Sequence, residues 1–186
     1  MKSSFILSVA AGRSSTGFAV FCGERLEYYG ILSLGKFTSA SSIQKAVDRF
    51  FIKIGRKFII NELAIRRLNS SQLRSNFLPV VREQFVILGI RSHLKIYAFD
   101  GKTVNSFITG YPIKPTNQTT TLYLIRQFPE LARFNDPRIP SRPIYYQNLF
   151  KAVAVGYVRA KERYKETKHI HETPQFEQNN HRSGRS

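Results

Sequence analysis

Carboxylates at the ends of apolar runs are the side chains from which acid–base or metal-dependent chemistry would be built. Glu62 closes one such run, Asp100 closes another, and Asp136 sits in a proline-containing stretch further on. Asp100 is followed by Gly101 and Asp136 is flanked by Asn135 and Pro137, so both read first as turn residues, and Asp100 also as a helix cap. His169 and His171 form a His-x-His pair able to chelate a transition metal. No cysteine or carboxylate framework accompanies the pair, so a structural zinc site is not expected. Cys22 ends the apolar run from Gly17 and reads as a buried strand residue rather than an activated thiol. As the only cysteine it cannot form an internal disulfide, which fits a reducing, cytoplasmic compartment. No glycine-rich phosphate loop and no Ser-His-Asp pattern is evident.

Cationic side chains are far more numerous. Lys and Arg number 29 against 12 Asp and Glu, a net charge of +17. That excess points to a phosphate polyanion as partner, nucleic acid above all and DNA before RNA. Arg13, Arg66, Arg67, Arg74, Arg82 and Lys151 are the candidate phosphate contacts, the arginines because their planar forks pair with phosphate oxygens. Tyr28, Tyr29, Tyr145, Tyr146 and Tyr157 could stack on bases, although packing in a core or at its rim is the cheaper role. No apolar stretch approaches the length of a membrane span, and the short apolar start after Met1 reads as a first strand rather than a leader.

The elements that must position these groups follow from periodicity and turn chemistry. Apolar runs at residues 5–10, 16–21 and 26–34, joined by short turns, predict a three-stranded antiparallel meander. Ser41 and Ser42 cap a helix through Gly55, with Ile43, Ala46, Val47, Phe50, Phe51 and Ile54 on one face. Residues 57–65 form a fourth strand. A helix capped by Ser70 or Ser71 runs to Gly89, kinked or broken at Pro79. A fifth strand spans 94–99, a short helix 103–108, and an amphipathic helix 119–128 stops at Pro129. Residues 135–143 form a loop, and a last helix runs from Tyr145 to Lys165. From residue 167 the polar, basic tail is expected to be disordered, leaving a single domain over residues 1–166.

Three segments carry a resemblance to a known family. Ile6-Leu-Ser-Val-Ala-Ala-Gly-Arg-Ser-Ser-Thr-Gly17 resembles a first hairpin in which a strand of the type I-L-G-I-D-P-G leads to a turn ending in T-G. Arg56-Lys-Phe-Ile-Ile-Asn-Glu62 resembles a fourth strand ending in an acid, and Asn148-Leu-Phe-Lys-Ala-Val-Ala-Val-Gly156 a last helix with a D-x-x-D-A-x-A core. Together they resemble the RuvC-like Holliday-junction resolvases of the ribonuclease-H-like superfamily. The implied fold is α/β, a mixed five-stranded sheet (the meander plus two further strands) flanked by helices.

In that family four carboxylates hold two divalent cations roughly 4 Å apart for phosphodiester cleavage, and Mg²⁺ requires oxygen ligands. The resemblance puts the four positions on Ala10, Glu62, Asn148 and Lys151, and a shifted register would replace Glu62 by Arg66. It therefore implies a degenerate member, a pseudoenzyme that binds branched or structured nucleic acid and needs no cofactor. An active Mg²⁺-dependent endonuclease would require a rearranged site. The alternative role is an inactive subunit or scaffold in a nucleoprotein complex, as a homodimer or in a mixed dimer with an active paralogue.

Overall fold

The computed structural model describes residues 4–12, 14–35, 37, 39–110, 116–135 and 141–172, with side chains described from 146 to 168 in the last segment. Arg13, Asp136 and residues 173–186 lie outside the described residues, as do the side chains of Tyr145, His169 and His171.

The meander forms as expected: β1 (Phe5–Ala11), β2 (Ser15–Cys22) and β3 (Arg25–Ser33) pair antiparallel in sequence order. β4 (Ile60–Arg66) then pairs parallel to β1, and β5 (Lys95–Phe99) parallel to β4, giving the order β3-β2-β1-β4-β5. The helices are α1 (Ala40–Lys57), α2 (Ser70–Leu73), α3 (Leu78–Arg91), α4 (Gly101–Thr109), α5 (Asn117–Gln127) and α6 (Ser141–Glu172), with a 3-10 turn at Pro129–Phe134. The sheet is central and buried on both faces, which explains why β1 reads as a continuous apolar run rather than an alternating one.

The two-residue period of the strands divides the core. Ile6, Ala19, Phe21 and Ala64 face α6, where Leu149, Val153, Tyr157 and Val158 meet them. Leu7, Val9, Val20, Leu63 and Ile65 face the other way, onto Ile43, Val47 and Ile54 of α1 and Val81 and Phe85 of α3. α1 begins with a reciprocal capping box between Ser39 and Ser42.

The structure departs from the sequence expectation at several points. The segment from Ser70 is two helices, interrupted before Pro79, which falls in the first turn of α3 where its missing N–H costs nothing. Cys22 ends β2 half-exposed rather than buried. α6 is longer than expected at both ends and continues to Glu172, past the residue where the tail was expected to begin. Pro143 is compatible with its early start because first-turn N–H groups have no intrahelical acceptor.

α6 crosses β1 and β2 closely. An added Cβ at Gly17 would lie 1.9 Å from the carbonyl oxygen of Asn148, and one at Gly156 would lie 2.5 Å from the Phe21 ring. The Gly17 contact is backbone and cannot rotate away. Gly17→Ala is expected to destabilise the fold by about 3 kcal/mol or more, read as a fall in melting temperature; a change within about 0.5 kcal/mol would show that α6 can lift off the hairpin at no cost.

Candidate nucleic-acid interface

β1, β4 and β5 run parallel, and their connections leave in opposite directions on the two sides of the β1–β4 pair. In open α/β sheets a crevice opens at the carboxyl end of such strands. Val9 pairs with Ile65, so the next residues, Ala10 and Arg66, reach the same level at that end. Arg66 in turn pairs with Phe99, the last residue of β5. Ala10, Arg66 and the α6 residues Asn148 and Lys151 thus belong to one end of the molecule.

Each side chain has a defined environment. Ala10 is fully buried and offers only a methyl group. Asn148 Nδ2 donates to the Ser15 carbonyl oxygen at 3.1 Å, tying α6 to the β1–β2 hairpin. Arg66 is half-buried, and its guanidinium fills the space over Gly101, where a Cβ would lie 2.3 Å from Nη2. Lys151 Nζ donates to Gln147 Oε1 at 3.1 Å. Arg66 and Lys151 share a narrow pocket whose polar walls include Asn105, Asn117, Thr120 and Gln147, with Phe150 and Ala154 also lining it and no acid among the lining residues.

The charge state follows from that enclosure. Burial, with the charge of Arg66 nearby, lowers the Lys151 ammonium from 10.5 to about 8. Burial also lowers the Arg66 guanidinium, and Asp100 only partly offsets this. Asp100 is already engaged: it accepts from the backbone N–H groups of Lys102 and Thr103, both at 2.9 Å, and caps α4. Its side-chain bond to Thr103 and these backbone bonds hold its carboxyl below the usual range.

Beside the pocket lies a cleft of about 400 Å³ in which Arg66, Arg67 and Lys102 face the amides of Asn69, Gln72 and Asn105. Four cations therefore gather around one occupied carboxylate, an arrangement suited to phosphate oxygens. Among the described residues, no group of three or more His, Cys, Asp and Glu side chains is placed to hold a metal ion.

A lysine lowered in the fold binds fewer protons folded than unfolded between about pH 8 and 10.5. By linkage its contribution makes the fold more stable as pH rises through that window. Binding of a phosphate has the opposite dependence, because it needs the ammonium form and weakens as pH rises through 8. In an NMR titration of reductively ¹³C-methylated lysines, the Lys151 signal is expected to move with a midpoint near 8 and to shift upward when an oligonucleotide binds. A midpoint at the ordinary lysine value would show that the pocket is not closed.

The other expected contacts fall elsewhere. Arg74 is exposed at the C-cap of α2, and Arg82 lies on α3, which packs against the opposite face of the sheet. Neither lines the cleft or the pocket. Glu62 is also not at this end. It pairs with Ile6 near the start of β4, four residues and about 13 Å before Arg66. There Arg159 Nε, on a side chain 98% enclosed, meets Glu62 Oε2 at 2.7 Å. The same guanidinium grips Glu166 with Nη1 at 2.7 Å and Nη2 at 3.0 Å, and its Cζ lies 3.7 Å from the Tyr97 ring centre. Burial alone would lower the Arg159 guanidinium, but its bonds to Glu166 and Glu62 raise it instead.

Lys102, Asn69, Gln72 and Asn105 escaped the sequence reading because polar residues near turns carry no periodic signal. Arg159 had one: it interrupts the apolar run Ala152–Val158, and a cation there demands a buried partner. Of the tyrosines, Tyr157 is 6% exposed and its hydroxyl lies 3.2 Å from that of Tyr123, a core placement. Tyr29 and Tyr146 both pack on Phe134.

No protein-family model and no curated protein matches the chain. Among solved structures it is similar to RuvC of Thermus thermophilus in complex with a Holliday junction substrate, at 12% identity and TM-score 0.62 over 88% of this chain and 96% of that one. Thermus thermophilus RuvC in a further structure gives TM-score 0.63 at the same identity and coverage. The yeast mitochondrial Holliday junction resolvase gives TM-score 0.60 at 11% identity, over 90% of this chain and 85% of that one. The shared feature is the fold: a mixed five-stranded sheet flanked by helices, of the RuvC type. Among the described residues no helix is long and apolar enough to cross a membrane.

Proposed function

We propose that this chain, with its RuvC-type fold, binds nucleic acid through the carboxyl ends of β1, β4 and β5 and does not cleave it by metal-ion catalysis. The observation that carries the reading is the set of residues gathered there: Ala10, Arg66, Asn148 and Lys151. A two-metal site needs anionic oxygens, and this set offers a methyl group, an engaged amide and two cations. The residues do not fit Mg²⁺. They do fit phosphate: two half-buried cations repel each other in the free protein, and an anion between them relieves that repulsion while its oxygens accept their hydrogen bonds.

Gel-shift titrations against a four-way DNA junction, duplex DNA and structured RNA, at two salt concentrations with and without Mg²⁺, test this. Binding that weakens steeply with salt, with the nucleic acid recovered intact in Mg²⁺, is expected. Salt-insensitive binding would overturn the phosphate reading, and Mg²⁺-dependent cleavage the non-catalytic one.

One observation favours a second role as a subunit or scaffold. Ile87 and Ile90 stand 40% and 62% exposed on α3, which packs beside α1 where Ile52 is 54% exposed. A dimer, with itself or an active paralogue, would cover such side chains. Light scattering at two concentrations tests self-association, and a partner that persists through nuclease and high salt would establish the mixed form.

A further inference from the structure

We propose a second nucleic-acid site on the opposite face of the sheet, between α1 and the edge strand β3, that takes an unpaired base with its flanking phosphates. α1 carries Lys45, Arg49, Lys53, Arg56 and Lys57, all exposed, and its one acid, Asp48, accepts a hydrogen bond from Gln84. None of the five cations is in an ion pair among the described residues. Arg49, Lys53 and Lys57 follow one another at four-residue steps, about 6 Å apart along the helix, so they form a row along one side of α1.

That row borders a groove. Between α1 and β3 lies a hollow of about 450 Å³, floored by Phe18, Tyr28, Phe37 and Phe50 and walled by Arg49 and Lys53. The volume is within the range of about 300–1,000 Å³ seen for small-ligand sites. β3 is an edge of the sheet, and among the described residues its outer backbone N–H and C=O groups have no neighbouring strand. Lys57 Nζ already lies 4.0 Å from the centre of the Tyr28 ring, which brings the cationic row and the aromatic floor into contact.

A row of unneutralised cations beside an aromatic hollow is how sequence-tolerant single-strand binders work: the cations track the phosphates and the rings receive the base. Charge complementarity selects the occupant. An apolar peptide would leave the row unmatched, and a duplex, whose bases are stacked inside, would leave the hollow empty. The site shares no residue with the cleft around Arg66 and Lys151 and does not depend on it.

The test is fluorescence anisotropy of labelled single-stranded oligothymidylate and oligouridylate, and of an oligomer of equal length with abasic tetrahydrofuran residues. These are titrated into the wild-type chain and the variant Arg49→Gln/Lys53→Gln/Lys57→Gln. All three positions are exposed, so the variant should fold, and its circular dichroism and melting temperature check this. With about 0.7 counterions released per single-strand phosphate, the variant's log–log salt slope should fall by about 2 and its affinity by at least about tenfold. The abasic oligomer should bind the wild type at least about tenfold more weakly than oligothymidylate. Loss on either the DNA or the RNA strand through the three cations supports the site. An unchanged salt slope on both strands, or equal binding of the abasic oligomer, overturns it. In an Arg66→Gln/Lys151→Gln background the triple substitution should lower the slope by the same amount, so the two sites can fail separately.

Discussion

The double substitution Arg66→Gln/Lys151→Gln is expected to weaken binding of duplex or junction DNA by on the order of 100-fold near physiological salt. Each charge-assisted hydrogen bond to a phosphate contributes about 1.5 kcal/mol, or roughly tenfold. Each contact also releases about 0.9 counterions from duplex, so the log–log salt slope should fall by nearly 2. Loss of folding would mimic weak binding, but stability is expected to move the other way. Arg66 and Lys151 are both lowered by burial, and Lys151 also by Arg66, so neutral glutamines remove a repulsion that the free protein carries. Weaker binding together with an unchanged or raised melting temperature is therefore the signature. Full binding by the double variant would remove the phosphate site from this end of the sheet.

The largest effect on stability is expected at the other end. Arg159→Met leaves Glu62, itself 6% exposed, with Arg163 as its one ion-pair partner among the described residues, Nε lying 3.6 Å from Oε1. Removing one partner of a buried ion pair costs about 3–5 kcal/mol, because the remaining charge keeps its desolvation penalty. For a chain of this size that corresponds to a fall in melting temperature on the order of 10 °C. Replacing both partners by apolar side chains, Glu62→Leu with Arg159→Met, should recover much of the loss, since well-packed apolar groups replace buried pairs at little cost. Thermal melts of the two single variants and the double variant check this. A single-variant loss below about 1 kcal/mol would show that water reaches the pair. The network also binds distant parts of the chain: Glu166, on the last turns of α6, is linked through Arg159 to Glu62 of β4.

The two results would separate roles that the sequence leaves entangled. Glu62 is the one acid at the positions implied by family resemblance, and Glu62→Gln would ordinarily be the first test of a nuclease. Here that variant is expected to lower stability and leave the basic cleft as it is, because its carboxylate serves Arg159 at the far end of β4.

The amino-acid sequence by itself determined the order of strands and the meander, the apolar face of α1, and the cationic excess. These depend on local period and composition: Ile43, Val47 and Ile54 recur at helical spacing, and Phe5–Ala10 is apolar but for Ser8, whose buried hydroxyl donates to the Ala19 carbonyl oxygen, because a central strand is covered on both sides. It also placed Ala10, Asn148 and Lys151 together by resemblance. The break before Pro79 was legible in kind but not in position, since proline marks the start of α3 as readily as a kink within a helix. What only the tertiary structure decided is which residue of β4 joins Ala10. Glu62 and Arg66 differ by four positions, so a two-residue period puts both on the same face of the strand, and local pattern has no means to choose between them. The choice is made by the pairing of β4 with β1, residues more than fifty apart in sequence, which sets Ile65 beside Val9 and carries Arg66 to the open end. The same alignment brings Glu62 within reach of Arg159, 97 residues away, where burial fixes the carboxylate as an ion-pair partner.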